Sequence, residues 1–375
     1  MTINKTNKLN EVIQLISGRD LPQNEYNSMS QGIPYIMGAS NMNNGELTIE
    51  RWTETPTVIG LKGDIIISVK GTVGELLILN EEKVHLSRQV MSIRVSENIN
   101  TKFMYYYLKF YITKIQEKAK GMIPGITRED ILSSKFTKRD FIFQNKIVEI
   151  LDKAQELIYK RKEQLEALDE LVKSRFIEMF GDPVTNSKGW NKEKLSELGE
   201  LSRGKSKHRP RNAPGLLNGP YPLIQTGDIA NAGIYLKEYT QTYSELGLKQ
   251  SKMWKKGTLC ITIAANIAKT SILTFDACFP DSVVAFIPSE KTNNMFIQFW
   301  MSFLQKILED SAPESAQKNI NLKILSEQNV IVPPIELQNQ FADFVNQVDK
   351  LKFEAQKSLT EMENNFNSLM QRAFK

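Results

Sequence analysis

Two stretches of this 375-residue chain carry the same apolar stripe at the same spacing, and that duplication limits the possible folds more than any other feature. In the first, Ile147, Leu151, Ala154, Ile158, Arg161, Leu165, Leu168, Val172, Arg175 and Met179 follow one another in alternating steps of four and three. In the second, Phe341, Val345, Val348, Lys352, Ala355, Leu359, Met362, Phe366, Leu369 and Ala373 do the same, each 194 positions after its counterpart. Such steps put side chains on one face of an α-helix and repeat as a heptad, so each stretch is expected to be a long helix needing an apolar partner along its length. About 36 residues at 1.5 Å each make a rod of roughly 54 Å. Arg161, Arg175 and Lys352 interrupt the stripes. Either they carry their charges out to solvent, or they set register against another helix of this chain or of a partner.

The same offset holds upstream. Gly-Asp-Ile-Ile-Ile-Ser at 63–68 lies 194 positions before Gly-Thr-Leu-Cys-Ile-Thr at 257–262, and Ile78-Leu79 lies 194 before Ile272-Leu273. The intervening Lys70-Gly71-Thr72-Val73-Gly74 and Ala264-Ala265-Asn266-Ile267-Ala268 make each region a strand, tight turn and strand. Val90 matches Val283 at 193, and the segment from Phe103 matches that from Met295 at 192, small changes of the kind loop insertions leave. Gly181-Asp182-Pro183 ends the first helix, since glycine suits the cap and proline cannot continue it. Val332-Pro333-Pro334 keeps the chain extended before the second. The expected architecture is α+β: two copies of a mixed α/β domain, each followed by a long helix, the two helices pairing as an antiparallel coiled coil. The expected boundaries are 1–139 for the first domain, 140–182 for the central helix, 183–334 for the second domain and 335–375 for the C-terminal helix.

Composition narrows the chemistry. With apolar residues at 41%, each half can build a core, and a net charge of +5 permits an acidic partner without identifying one. Two cysteines, Cys260 and Cys278, argue against a disulfide framework, and with only His85 and His208 beside them a structural zinc site is not expected. The polar N-terminus has no signal-peptide core and no run of about 18 apolar residues occurs, so a reducing cytoplasm and no membrane span are expected. There is no GxxxxGK[ST] loop for phosphates, no HExxH or CxxC metal spacing, and no Asn/Asp-Pro-Pro-aromatic tetrapeptide for amino-methyl transfer, the only Pro-Pro being Pro333-Pro334. Catalysis by the chain alone is not expected.

Three features could contact a ligand. Arg203-Gly204-Lys205-Ser206-Lys207-His208-Arg209-Pro210-Arg211 holds five cations and a histidine with no acid, and Gly and Pro make it a loop. Loop cations reach phosphate oxygens, and arginine forks onto guanine O6 and N7. The competing reading is a solvated charge run; DNA contact is favoured because the loop lies inside a duplicated domain. The turns around Ser68–Gly74 and Thr262–Lys269 offer small residues for close approach, with Lys70, Thr72, Asn266 and Lys269 as donors. As ordinary hairpin turns they need no ligand, and the two readings stand level. The segments 121–128 and 315–321 precede the run into each long helix and differ in chemistry: Pro124-Gly125-Ile126-Thr127-Arg128 against Lys318-Asn319-Ile320-Asn321. They are either helix-entry loops, capped by Thr127 or Asn319, or base-reading loops of two domains that read different sequences. Residues 144–180 balance seven cations against eight acids, so the helix is not the main grip on DNA.

Gly-Arg-Asp-Leu at 18–21, Gly-Ile-Pro-Tyr-Ile at 32–36 with Gly38-Ala39-Ser40, Met-Phe-Gly-Asp-Pro at 179–183, Lys207-His208-Arg209-Pro210-Arg211, Gln225-Thr226-Gly227-Asp228 and Asp281-Ser282-Val283-Val284 resemble the specificity subunits of type I restriction–modification enzymes over essentially the whole chain. Phe-Gly-Asp-Pro after a long helix is the most specific of these. The resemblance implies that each α/β domain is a target-recognition domain for one half of a split DNA site. It implies that the helices form the spacer, and that two methyltransferase subunits dock on them with S-adenosylmethionine. Motor-nuclease subunits using ATP and Mg2+ would complete the complex, with no cofactor in this chain. The alternative is a coiled-coil scaffold for protein partners. The candidate DNA contacts are Lys70, Thr72, Arg88, Thr127, Arg128, Arg203, Lys205, Lys207, His208, Arg209, Arg211, Thr226, Asn266, Lys269, Lys318 and Asn319.

Overall fold

The computed structural model describes residues 6–43, 45–118, 125–264, 267–310 and 320–375. The run Ile65-Ile66-Ile67 shows how each domain is layered. Its β-branched side chains favour a strand, yet it lacks the alternation of a half-solvated one, because all three are fully buried. Ile65 and Ile67 face Phe103, Met104 and Leu108 of the helix Thr101–Lys118. Ile66 points the other way, into a core with Ile36, Val84 and Leu86. The strand Ile65–Ser68 is thus covered by a helix on one face and by a second sheet on the other. The second domain repeats this: Leu259 and Ile261 pack with Phe296 and Trp300 of the helix Asn294–Asp310, and Cys260 packs with Ile224, Trp254 and Phe279. Cys260 and Cys278 are free and buried, and burial pushes both thiols up.

The helix-covered sheet of the first domain runs Ile13–Ser17, Val90–Val95, Ile65–Ser68, Leu76–Ile78, with every neighbour antiparallel. Its counterpart runs Gly199–Arg203, Val283–Pro288, Leu259–Thr262, Thr270–Leu273, with Tyr235–Leu236 added in parallel at the edge. The covering sheets correspond too. Trp52–Thr53, Ile33–Ile36, Lys83–Leu86 and Ile59–Leu61 match Gln241–Tyr243, Leu217–Leu223, Ala277–Cys278 and Met253–Trp254, each with a parallel central pair. A two-stranded ribbon, Thr6–Lys8 with Lys135–Thr137 and Lys192–Lys194 with Asn329–Ile331, ties the start of each domain to the chain entering its long helix. The sequence offered only the strand–turn–strand element of each copy. The covering sheets, built largely of strands of two to four residues, gave no readable period.

The long helices are Phe141–Phe180 and Ile335–Phe374, 40 residues each. Asp140 Oδ1 accepts from Phe143 N at 2.8 Å and caps the first. At its other end Gly181 takes a left-handed φ of +76° and its amide reaches Ile177 O at 2.8 Å. Trp190 Nε1 (2.8 Å) and Lys188 Nζ (3.1 Å) satisfy the last carbonyls, of Phe180 and Met179.

The chain divides into two compact units, Met1–Lys162 with Lys357–Lys375, and Glu163–Gln356. Each therefore contains one α/β domain, the first half of the long helix that follows it and the last half of the other. In the second unit, Phe176 and Phe180 meet Phe341 at 5.4 and 5.5 Å and Phe296 at 5.6 and 4.9 Å. Arg175 lies over Phe344 and Lys352 pairs with Asp169, so the two helical segments of this unit run antiparallel. In the first unit the aromatic core instead receives the end of the second helix, with Phe374 at 5.1 Å from Phe103 and Phe366 at 6.1 Å from Tyr106, while Lys162 pairs with Glu363 at 3.1 Å. Every heptad position named above is buried or half-buried. Lys352 and Arg175 carry their charges to the flank of the seam, where they pair with Asp169 and Glu178.

Each long helix is bolted to its domain by one glutamine. Gln144 and Gln338 are both fully buried. Gln144 Oε1 accepts from Asn100 N (2.7 Å) and its amide donates to Arg139 O (2.8 Å). Gln338 Oε1 accepts from Thr292 Oγ1 (2.8 Å) and Asn293 N (3.2 Å), and its amide donates to Lys291 O (3.0 Å) and Pro333 O (2.8 Å). Next to them, the Asn100 amide donates to Asn145 and that of Asn293 to Asn339, each at 2.9 Å. Gln338→Ala removes four hydrogen bonds at once, two of them fully buried, and is expected to lower unfolding stability by about 2–3 kcal/mol. A urea titration monitored by tryptophan fluorescence checks this; a midpoint equal to wild type contradicts the bolt.

Candidate nucleic-acid interface

Among the described residues, the segment after each central strand meets two further segments at one edge of its domain. In the first, Val69 N donates to Gln89 O (2.8 Å) and Ile126 N donates to Val69 O (3.0 Å), which makes neighbours of Lys70, Arg88 and Thr127. In the second, Ile263 N donates to Ser282 O (3.0 Å) and Ile320 N to Ile263 O (2.9 Å), the same lacing at equivalent positions. A further loop enters this edge through a glycine. Gly18 N bonds Val90 O at 3.2 Å and Gly204 N bonds Val283 O at 2.8 Å. A Cβ on Gly18 would stand 2.0 Å from Ser87 O, and one on Gly204 would stand 2.3 Å from Phe279 O and Pro280 O. Only glycine permits that approach. It brings Arg19 and Asp20 to the edge of one domain and the basic loop to the edge of the other.

The two edges carry the same ion pair with the charges exchanged. In the first domain Arg88 N donates to Asp20 Oδ1 (3.0 Å) and its Nε lies 2.8 Å from Oδ2. In the second, Asp281 occupies the position of Arg88 and the bases sit on the opposite loop. Arg211 Nη2 bonds Asp281 Oδ1, Arg209 Nη2 lies 3.6 Å from Oδ2, and Arg203 donates to the Asp281 carbonyl through Nε (2.9 Å) and Nη2 (2.6 Å). The stretch 203–211 has no acid in sequence, but the fold supplies one. The acid-free run at 203–211 is therefore, in the fold, an arginine cluster clamped by Asp281. Arg203 is also the last residue of a strand rather than a loop residue. Gln250 and Ser251 hold the loop's backbone: His208 N donates to Gln250 Oε1 (3.1 Å) and Ser251 Oγ to Lys205 O (2.8 Å). The side chains of Lys205, Lys207 and His208 are exposed.

The remaining candidates differ in role. Lys70 and Thr72 are exposed in their turn. Thr127 caps the short helix Arg128–Leu132, accepting from Asp130 N at 3.2 Å. Arg128 Nη1 donates to Leu15 O (3.1 Å) and Ser17 Oγ (2.8 Å), fastening that helix to the strand Ile13–Ser17. Thr226 is half-buried at the start of the helix Thr226–Asn231, where Asp228 Oδ2 accepts from Gln225 N at 2.7 Å. Lys269 turns to the helix Asn294–Asp310 and donates to Gln305 Oε1 at 3.2 Å. Asn266, Lys318 and Asn319 lie outside the described residues, as does 121–124. The short helix Leu322–Ser326 is capped by Asn321, which accepts from Ile324 N at 2.9 Å, and not by Asn319 as the sequence suggested. Asp20, Gln225 and Asp281 entered the sequence reading only within family motifs and not as contacts, and Gln89 and Gln241 did not enter it. The offset that matched Val90 to Val283 also aligns Arg88 with Asp281, and that was the available signal.

His85 supports the first edge from beneath. It is fully buried, its ring 4.8 Å from that of Tyr35. Nδ1 accepts from Thr57 N and Val58 N, both at 3.3 Å, so the proton sits on Nε2, which donates to Arg19 O at 2.9 Å. Protonation would turn Nδ1 against two amide donors, and burial already holds the imidazole below its usual 6.5, although Asp20 and Glu25 pull upward. The unfolded chain binds this proton more readily, so the contribution is complete above about pH 6.5 and declines as pH falls below it. Wild type is expected to lose stability between pH 7.5 and 5.5 more steeply than His85→Gln; parallel denaturation curves for the two would refute this.

Among the described residues, no group of three His, Cys, Asp or Glu side chains is placed to hold a metal, and no helix is long and apolar enough to cross a membrane. The family model for the type I restriction modification DNA specificity domain matches twice, at residues 4–167 and 187–363. The chain is 21% identical to the type I restriction enzyme EcoBI specificity subunit of Escherichia coli, over 98% of its length and 84% of the relative's. It is 23% identical to the EcoDI specificity subunit of Escherichia coli, over 99% and 88%. Among solved structures, it resembles a chain from a study of the assembly and conformational transition of a type I R-M system (TM-score 0.64, 16% identity, 98% of this chain and 97% of that one). It also resembles the type I S subunit from M. genitalium (TM-score 0.58, 16% identity, 100% and 97%). Two matches of the same family model, one over each copy of a duplicated fold, show that the chain belongs to the type I restriction–modification DNA specificity family.

Proposed function

We propose that the chain reads a two-part duplex DNA sequence for a larger enzyme and performs no chemistry itself. The domains 1–139 and 183–334 would each take one half-site, and the helices at 140–182 and 335–375 would pair as an antiparallel coiled coil that fixes the gap. The observation that carries this reading is one edge built twice on the same backbone lacing with different side chains on it. Identical frames hold the loops in place, while Arg88 with Asp20 in one domain and Asp281 with Arg203, Arg209 and Arg211 in the other present different patterns to DNA. Arginines at a loop edge suit phosphates and guanine together.

Adenine methylation with S-adenosylmethionine, and cleavage with ATP and Mg2+, would belong to two methyltransferase subunits and to motor-nuclease subunits in the cytoplasm. The helices offer those partners apolar surface away from the heptad stripe: Ile142 is 83% exposed, and Leu157, Leu171, Leu351 and Phe353 are also exposed.

The test is duplex binding by the chain assembled with its methyltransferase partner. Affinity is expected to fall steeply with salt, because cations that neutralise phosphates release counterions. Lys207→Ala, Arg209→Ala and Arg211→Ala together are expected to weaken binding and flatten the log–log salt slope by about two to three. Equal binding to every duplex overturns the reading, and partner retention with no DNA retention would favour a scaffold. An unchanged methylation rate in the triple variant removes the arginine cluster from the contact.

A further inference from the structure

Beside the arginine cluster, the second domain contains a recess of about 230 Å3 whose lining includes Ser206, Arg211, Asn212, Gln225 and Gln241. These polar side chains share the recess with Tyr243 and Pro280, and they come from the loop at 206–212, from the start of the helix Thr226–Asn231 and from the strand Gln241–Tyr243. Ser206 is only 6% exposed, and its hydroxyl has no hydrogen-bond partner among the described residues. A buried hydroxyl left unpaired costs free energy that a ligand group or an ordered water recovers. At the mouth, Gln225 Nε2 donates to Gln241 Oε1 at 3.1 Å. That bond leaves Gln225 Oε1 as an acceptor and the Gln241 Nε2 hydrogens as donors. Gln225 is held in turn through its backbone, whose amide donates to Asp228 Oδ2 at 2.7 Å. Arg211 is oriented by Asp281.

We propose that this recess reads a purine of the half-site taken by the second domain, a statement that rests on the function proposed above and names where base selection occurs within it. A carboxamide that donates and accepts side by side matches the N7 acceptor and N6 donor of adenine, and a guanidinium matches the O6 and N7 of guanine. Gln225 and Gln241 form the selecting amide pair, Arg211 lies alongside the same edge, and Ser206 takes the group that enters deepest. Pyrimidines present only one hydrogen-bonding atom at that edge of the pair and leave half the array unpaired. A phosphate is the competing occupant, because Arg211, Asn212 and Ser206 can all donate; two carboxamide oxygens at the mouth disfavour an anion.

The test is selection of bound duplexes from a randomised library by the chain assembled with its methyltransferase partner. Wild type is expected to select a split motif. Gln225→Ala is expected to relax one purine position of one half-site by about tenfold or more and leave the other half-site unchanged. Retention of that second half-site shows that the variant is folded and assembled. Gln241→Glu keeps the acceptor for Gln225 and replaces donors by an acceptor, so it is expected to move the preference at the same position towards cytosine, whose N4 donates. The same motif from both variants overturns the proposal, and uniformly weaker selection with no change of motif overturns it in favour of a phosphate contact. A wild-type chain that selects no motif overturns the underlying function instead.

Discussion

The apolar stripes of the two long helices are the constraint on which the rest of the structure depends. A helix of 40 residues with a heptad seam must cover that seam along its whole length, or leave an apolar face in water. Here the seam is covered in two ways. The end of each helix inserts aromatic side chains into a domain core, Phe176 and Phe180 in the second unit and Phe366 and Phe374 in the first. Within each unit a segment of the other helix lies alongside, joined by Asp169–Lys352 in the second unit and Lys162–Glu363 in the first. Exposed ion pairs of this kind add little stability, but like charges facing one another would disfavour a shifted register.

This arrangement leaves the loops at the domain edges free of a packing duty, and the two copies have diverged there. Backbone contacts that need no particular side chain hold the edge in place, and Gly18 and Gly204 are needed only because nothing larger fits. A frame of that kind tolerates exchange of an acid for a base. Arg88 and Asp281 stand at equivalent positions, each matched by opposite charge from the neighbouring loop. The ion pair survives while its polarity reverses, so the pairing secures the loop and the charge left over distinguishes one edge from the other.

The parts that could be read from sequence were those with a long period. Twenty heptad positions with a constant offset define both helices and the duplication, and Gly181-Asp182-Pro183 marks the joint because cap geometry depends on local residues. The covering sheets were not legible, because a strand such as Trp52–Thr53 or Ala277–Cys278 is too short to show alternation. Candidate contacts were found where charge clusters in sequence, as at 203–211. Asp281 was missed as part of that cluster because it arrives from a loop some 70 residues away. Lys269 was grouped with ligand donors from its turn, but a donor's direction is set by its nearest acceptor in the fold, here Gln305.

The central claim is that one chain directs a larger enzyme to a split sequence through two alike but differently decorated domains. Sequencing adenine methylation across the genome in cells with and without this chain tests that claim most directly. The account predicts a motif of two short specified halves separated by a fixed unspecified gap, present with the chain and lost without it. A methylation pattern unchanged by removal of the chain, or a single uninterrupted motif, would contradict it.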